Sequence, residues 1–193
     1  MRFNKKQIIT TVTAVALATG IGSAAITANA ANSQSPGHSQ HVVSEHQTKG
    51  SATVSMKDAI AKAKKEANGT VTGLELDKED GQLAYEIDIQ GTTHSYEVII
   101  NADNGDMIKV EKDQLDDDLP ADVKTKINLI DAAGIASEKV NSPVTDIELD
   151  QYKGALTFEA EEQHNGKVTE IKVDANSGEI VSLHTKPKDE DDD

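Results

Sequence analysis

The sequence predicts an α+β protein: two tandem copies of one helix packed on a curved four-stranded antiparallel sheet. The first observation behind this is an internal repeat. Shifted by 73 positions, residues 55–110 lie on residues 128–183 without a gap, and sixteen of the 56 aligned pairs are identical. Asp58/Asp131, Ala63/Ala136, Glu75/Glu148, Gly81/Gly154, Glu86/Glu159 and Gly105/Gly178 are among them. A repeat of this length is a whole small domain, since solenoid units run to about 20–50 residues. The second observation is periodicity: each copy has one stretch of helical spacing followed by stretches of strict alternation. The third is turn chemistry, with Asp80-Gly81 and Asn165-Gly166 set between alternating runs.

In the first copy (residues 55–111), Ser55-Met56-Lys57-Asp58 resembles a capping box. Met56, Ala59, Ile60, Ala63 and Ala67 then share one helical face, with Lys57, Lys62, Lys64 and Lys65 elsewhere. Asn68-Gly69 predicts the helix end through a residue that tolerates positive φ. Leu74 and Leu76 alternate with Glu75 and Asp77 in a first strand. After Asp80-Gly81, Leu83, Tyr85, Ile87 and Ile89 face one way and Ala84, Glu86 and Asp88 the other, so one face is expected buried and one wet. Tyr96, Val98 and Ile100 predict a third strand, and Met107, Ile108 and Val110 a fourth beyond the turn at Asn101–Asp106.

Residues 112–126 read as a linker, with an Asp116-Asp117-Asp118 run and a Pro120-Ala121-Asp122 start for a short extra helix. The second copy (residues 127–185) restates the first. Asn128 and Asp131 replace Ser55 and Asp58 at the cap, and Leu129, Ala132, Ala133, Ala136 and Val140 form the helix face. Ile147 and Leu149, Leu156 and Phe158, Thr169, Ile171 and Val173, then Ile180 and Leu183 give its four strands. Residues 186–193, ending in Asp-Glu-Asp-Asp-Asp, are expected to be a disordered acidic tail. A domain of each copy's size buries about 60% of its unfolded surface and is marginal alone. Whether the copies pack together or act as two beads stays open in the sequence.

Residues 1–30 read as a signal peptide. Arg2, Lys5 and Lys6 precede an apolar or small-residue run from Ile8 to Ile26, and Ala28-Asn29-Ala30 predicts cleavage after Ala30. The rival reading is a retained membrane anchor; the threonines and glycines that dilute the run favour cleavage. Residues 31–54, rich in Ser, Gln, His and Gly, are expected to be a disordered linker. Its His38, His41 and His46 fit no defined metal spacing. The chain has no cysteine, so neither a lipid-anchoring thiol nor a disulfide is available.

The chain holds 19 basic and 34 acidic residues; without residues 1–30 it keeps 16 basic against 34 acidic, a net of −18. That balance argues against nucleic-acid binding and, after signal cleavage, against docking on anionic membranes. It favours solubility and cationic partners, including weakly held divalent cations.

Chemistry is hard to assemble. The chain has no Gly-x-Ser-x-Gly elbow and no Gly-rich phosphate loop. His94 and Ser95 are strand neighbours and point to opposite faces, while His94, His164 and His184 stand singly near turns or strand ends. No catalytic residue, cofactor or metal site is assigned, and the protein is expected not to be an enzyme. Asn101–Asp106 and Asp174–Glu179 partly mimic a calcium loop, but the glycine comes one position early and no Glu closes the loop. A turn between strands needs the same Asp, Asn and Gly for backbone reasons.

Val71-Thr72-Gly73-Leu74-Glu75-Leu76, Gly81-Gln82-Leu83-Ala84-Tyr85-Glu86 and Asp174-Ala175-Asn176-Ser177-Gly178-Glu179 resemble the PepSY domain family. The resemblance covers both repeats, about 115 of the 163 residues after the signal. Copy one departs from the closing turn with Asn101 and Asp106, and copy two carries Phe158 where the family's aromatic is Tyr. The resemblance implies an exported or membrane-facing helix-on-sheet module, found in proteins that restrain or chaperone extracellular peptidases, including propeptides of thermolysin-like metallopeptidases. It brings no shared catalytic residues. No peptidase sequence follows within the 193 residues, so any inhibition is expected in trans.

The expectation is therefore a secreted, non-enzymatic binding module of the cell exterior or envelope that regulates a secreted peptidase or another envelope protein. The alternative is an acidic envelope protein that binds Ca²⁺ or cell-wall components. Most positions shared by the copies are ones that shape requires. Glu75/Glu148, Glu86/Glu159 and Glu97/Glu170 are exceptions, predicted on the outward face of three strands where packing demands no acid. These six form the candidate protein-binding face.

Overall fold

A computed structural model describes residues 52–188; the predicted signal peptide, most of the 31–54 linker and the last five residues lie outside the described residues. Each copy is one helix followed by four strands. Copy one comprises α1 (Met56–Glu66), β1 (Thr70–Glu79), β2 (Gln82–Gln90), β3 (Ser95–Asn101) and β4 (Met107–Asp113). Copy two comprises α2 (Leu129–Val140), β5 (Asp146–Tyr152), β6 (Ala155–His164), β7 (Lys167–Asp174) and β8 (Ile180–Pro187).

The strands form one eight-stranded antiparallel sheet, in the order β4-β3-β2-β1-β5-β6-β7-β8. A four-stranded sheet per copy was expected, with the relation of the copies left open; the first strands of the copies pair edge to edge and join the strands into one sheet. At this seam Leu74 faces Ile147, Gly73 faces Glu148 and Glu75 faces Asp146. Leu74 and Ile147 are the same repeat position, so the seam is isologous, with an approximate two-fold axis through that pair.

The reason the seam holds is visible along one cross-strand row. Val110, Val98, Ile87, Leu74, Ile147, Ala160, Ile171 and Leu183 stand opposite one another in turn across all eight strands. The six inner members are buried and share one core with Ala59 and Ala63 of α1 and Ala132 and Ala136 of α2. Both helices therefore lie on the same face of the sheet, and the apolar stripe of each copy continues into the next. Placing Leu74 and Ile147 out of water contributes roughly 1.5–3 kcal/mol per side chain, and both depend on the join.

The helix caps follow the sequence. The Asp58 amide donates to Ser55 Oγ (3.1 Å), and Asn128 and Asp131 form a full capping box. The helix ends differ. Asn141 closes α2 with φ of 55°, whereas α1 ends on an extended Ala67. The predicted positive-φ stop at Asn68-Gly69 is not used. Gly69 is required for close approach instead, because a Cβ there would collide with the Gln90 carbonyl. The hairpin turns Asp80-Gly81 and Asn165-Gly166 have both residues at positive φ, as a type I′ turn demands.

Three segment boundaries differ from the expectation. The linker after β4 is packed: Leu119 and Val123 are buried in the common core, and Val123 accepts a hydrogen bond from Thr70 Oγ1 (2.9 Å). Pro120-Ala121-Asp122 makes a turn closed by the Val123 amide on the Pro120 carbonyl (3.0 Å), with no helix. Thr53 and Val54, assigned to the disordered linker, donate to the Ala102 carbonyl, and Val54 accepts from the Tyr85 hydroxyl. Lys186 and Pro187, assigned to the tail, belong to β8, and the Lys188 amide donates to the Gly166 carbonyl (2.9 Å). At the two ends backbone pairing extends the fold past the last alternating apolar residue, where a pattern of side chains carries no signal; in the linker two isolated apolar side chains reach the core.

Candidate functional site: an acidic sheet face

The face opposite the helices is built by the residues between the core positions. Strand registry puts them in two rows. One runs Glu111, Glu97, Asp88, Gly73, Glu148, Glu159, Lys172, Ser182; the other runs Lys109, Ile99, Glu86, Glu75, Asp146, Glu161, Glu170, His184. Ten of these sixteen positions are carboxylates, and the four central strands contribute seven carboxylates and one glycine. Acids on directly opposed strand positions repel, so this pattern opposes the pairing that the apolar row on the other face drives.

All six glutamates predicted to face outward, Glu75, Glu86, Glu97, Glu148, Glu159 and Glu170, lie on this face. The seam brings the two sets together into one strip. Asp88, already placed on the outward face by its parity with Glu86, extends it together with Glu111, Asp146 and Glu161, which the sequence reading did not place there. Glu161 was legible, being the repeat equivalent of Asp88 with the strand parity of Glu159. Asp146 joins only because β5 pairs with β1.

Lysines enter the strip from its flanks. Lys109 of β4 bridges Glu97 (3.4 Å) and Glu111 (3.0 Å), Lys186 of β8 pairs with Glu170 (2.7 Å), and Lys172 of β7 pairs with Glu159. Burial would lower the Lys109 ammonium, but its bond to Glu111 and the attraction of Glu97 and Glu111 outweigh it and raise it. Tyr152, at the end of β5, has Lys153 and Lys172 over its ring at 4.7 and 5.4 Å. Its phenol is lowered by the bond to Lys153.

Glu86 is the most perturbed acid of the face. Burial, then the charges of Glu97, Asp88, Glu75 and Glu79, push it from 4.5 to about 7. Gly73, beside it across β1, leaves room for the Asp88 carboxylate, which a Cβ would approach at 2.7 Å. The charges that raise it, those of Glu97, Asp88, Glu75 and Glu79, are all acidic and come from its own strand and the two adjoining ones.

The two calcium-like loops are closed by their own donors. Asn101 Oδ1 accepts from the Asp103 and Asn104 amides, and Asp174 Oδ1 accepts from the Asn176 and Ser177 amides and Ser177 Oγ. Those bonds hold the Asp174 carboxyl below its usual range. No group of three or more His, Asp or Glu side chains among the described residues is placed to hold a metal ion. His94 Nδ1 lies 3.0 Å from the hydroxyl of its exposed sequence neighbour Thr93, and His184 lies opposite Glu170 at the β8 end of its row.

Comparison with known proteins finds similarity at the level of structure, sequence and family. CD1622 of Clostridium difficile 630, whose crystal structure is known, is similar over 70% of this chain and 95% of its own, with 20% identity and a TM-score of 0.49. The Bacillus subtilis (strain 168) protein YkoJ, itself uncharacterised, is 29% identical over 127 residues, covering 65% of this chain and 71% of its own. Residues 53–111 and 126–184 each match PepSY, described as the peptidase propeptide and YPEB domain. With more than half of its residues inside these two matches, the chain belongs to the PepSY family as a tandem pair of its domains.

Proposed function

We propose that this protein is an exported, non-enzymatic binding module that regulates or inhibits an extracellular or envelope peptidase in trans, through the acidic face of its sheet. The observation that carries this reading is the merger of the two repeats' outward acids into one strip that crosses seven of the eight strands. A strip of that length and sign offers an extended, electrostatically steered contact for a basic partner surface. Family membership supports the peptidase as the class of partner. Carboxylates kept on opposed strand positions weaken the sheet, which is a cost that binding would explain.

The test uses the chain without its predicted signal peptide and the peptidases secreted by the organism that makes it. Slowed peptide hydrolysis and a complex that dissociates with added salt are expected at micromolar concentration. A variant with Glu75, Glu97, Glu148 and Glu170 changed to Gln should lose both. Unchanged hydrolysis and no complex at about 10 μM would sink the reading.

A further inference from the structure

On the helix side of the sheet, a groove of about 570 Å³ opens between the two helices over the start of β1. Lys57, Ile60 and Lys64 of α1 form one wall, Leu129 and Ile130 of α2 the other, and Val71 of β1 lies on the floor. Each copy supplies one wall, so the groove exists only because the two sheets fuse and bring the helices onto one face.

The charge of this groove is opposite to that of the molecule. Lys57 and Lys64 are seven residues apart, about 10 Å along the helix axis, with Ile60 and Ala61 between them. Both are exposed, and neither has an ion-pair partner among the described residues. Lys62, by contrast, is committed to the Gly105 carbonyl. The acid at the rim, Asp131, is occupied by the cap of α2, where its carboxylate accepts from the Asn128 side-chain amide (2.7 Å). The groove therefore presents two available ammonium groups beside an apolar trough.

We infer that this inter-helix groove docks a peptide segment of a partner protein that is apolar at its centre and acidic at its flanks. Apolar side chains fill the trough between Ile60, Val71 and Ile130, and carboxylates meet Lys57 and Lys64. In an extended segment about four residues span the two ammonium groups, within the reach of flexible lysine side chains. The site is separate from the acidic sheet face and uses the opposite charge.

The experiment is an NMR titration of the ¹⁵N-labelled chain without its predicted signal peptide. The probe is acetyl-Asp-Leu-Ile-Leu-Asp-amide, with its Lys-flanked counterpart as control. Saturable shifts of the Ile60, Val71 and Ile130 amides are expected with the acidic peptide only. The exposed charge reversal Lys57→Glu with Lys64→Glu should weaken it by about tenfold or more and admit the basic peptide. Equal response to both peptides, unchanged affinity in the reversed variant, shifts confined to the outer sheet face, or no shift up to about 2 mM would each overturn the assignment. Decanoate forms a third arm: if it shifts the same amides at lower concentration than the peptide, the occupant is a small amphiphile and the peptide assignment fails. Loss of peptidase binding by the Glu→Gln variant leaves this result untouched, because the two surfaces lie on opposite faces.

Discussion

The two copies share three outward glutamates, Glu75/Glu148, Glu86/Glu159 and Glu97/Glu170, and differ beneath their helices along the second strand of each. Copy one buries Tyr85, Ile87 and Ile89 along β2; copy two places Phe158, Ala160 and Glu162 at the same positions. Glu162 is only 6% exposed where Ile89 is fully buried. Copy two offsets its smaller strand residues with a more apolar helix, since Leu129, Ile130, Ile135 and Val140 stand where copy one has Met56, Lys57, Lys62 and Ala67. α2 also contacts β1, beyond its own copy, while α1 contacts β2 and β3. The difference teaches that a repeat can preserve its face while its core volume moves from sheet to helix, provided the total is filled.

Exchanging the most divergent core position should break the comparison most strongly. Ile89→Glu puts an acid into a fully buried site and is expected to cost more than about 3 kcal/mol by denaturant unfolding. Glu162→Ile should instead stabilise by about 1 kcal/mol, because it removes a carboxylate from a nearly closed position. Equal and small effects at both sites would show that the cores tolerate charge alike.

The next test concerns Glu86, whose equivalent Glu159 is paired with Lys172. Because the folded value of Glu86 is raised from 4.5 to about 7, its contribution is fully present below pH 4.5 and is lost as pH rises through 7. Glu86→Gln should flatten that fall in melting temperature and gain on the order of 1 kcal/mol above pH 7, after allowance for solvent screening. Glu159→Gln, which breaks an ion pair, should give no such gain. A parent protein with no loss of stability between pH 4.5 and 7 would contradict the cited cause.

The smallest contrast is at the helix caps. Asn128→Ala removes a full capping box and is expected to cost about 1 kcal/mol. Ser55→Ala, which loses the bond from the Asp58 amide, should cost about 0.5–1 kcal/mol. Thermal unfolding of the two variants measures the difference directly.

Much of this was legible in the chain because the signals are local. Alternation over Leu83–Ile89 identifies both the strand and its inner face, and Asp80-Gly81 identifies the hairpin, since neighbours in sequence decide both. The outward glutamates followed from the same parity. Helix α1 was legible by its spacing, but its end was not: Gly69 is dictated by Gln90, twenty-one residues away. The packing of the linker was not legible because Leu119 and Val123 are isolated apolar residues, and only their landing place makes them core.

By itself the sequence determined two copies of one helix-and-strand unit, the face each strand would bury and the acids each would show. Tertiary structure alone decided that β1 would meet β5. Any strand edge offers the same unpaired amides and carbonyls, and Leu74 and Ile147 are marked no differently from Val98 or Val110. That one pairing, driven by a continuous apolar row, gathers the acids into a strip and the helices into a groove. Both candidate surfaces are properties of the join, and neither copy carries either one complete.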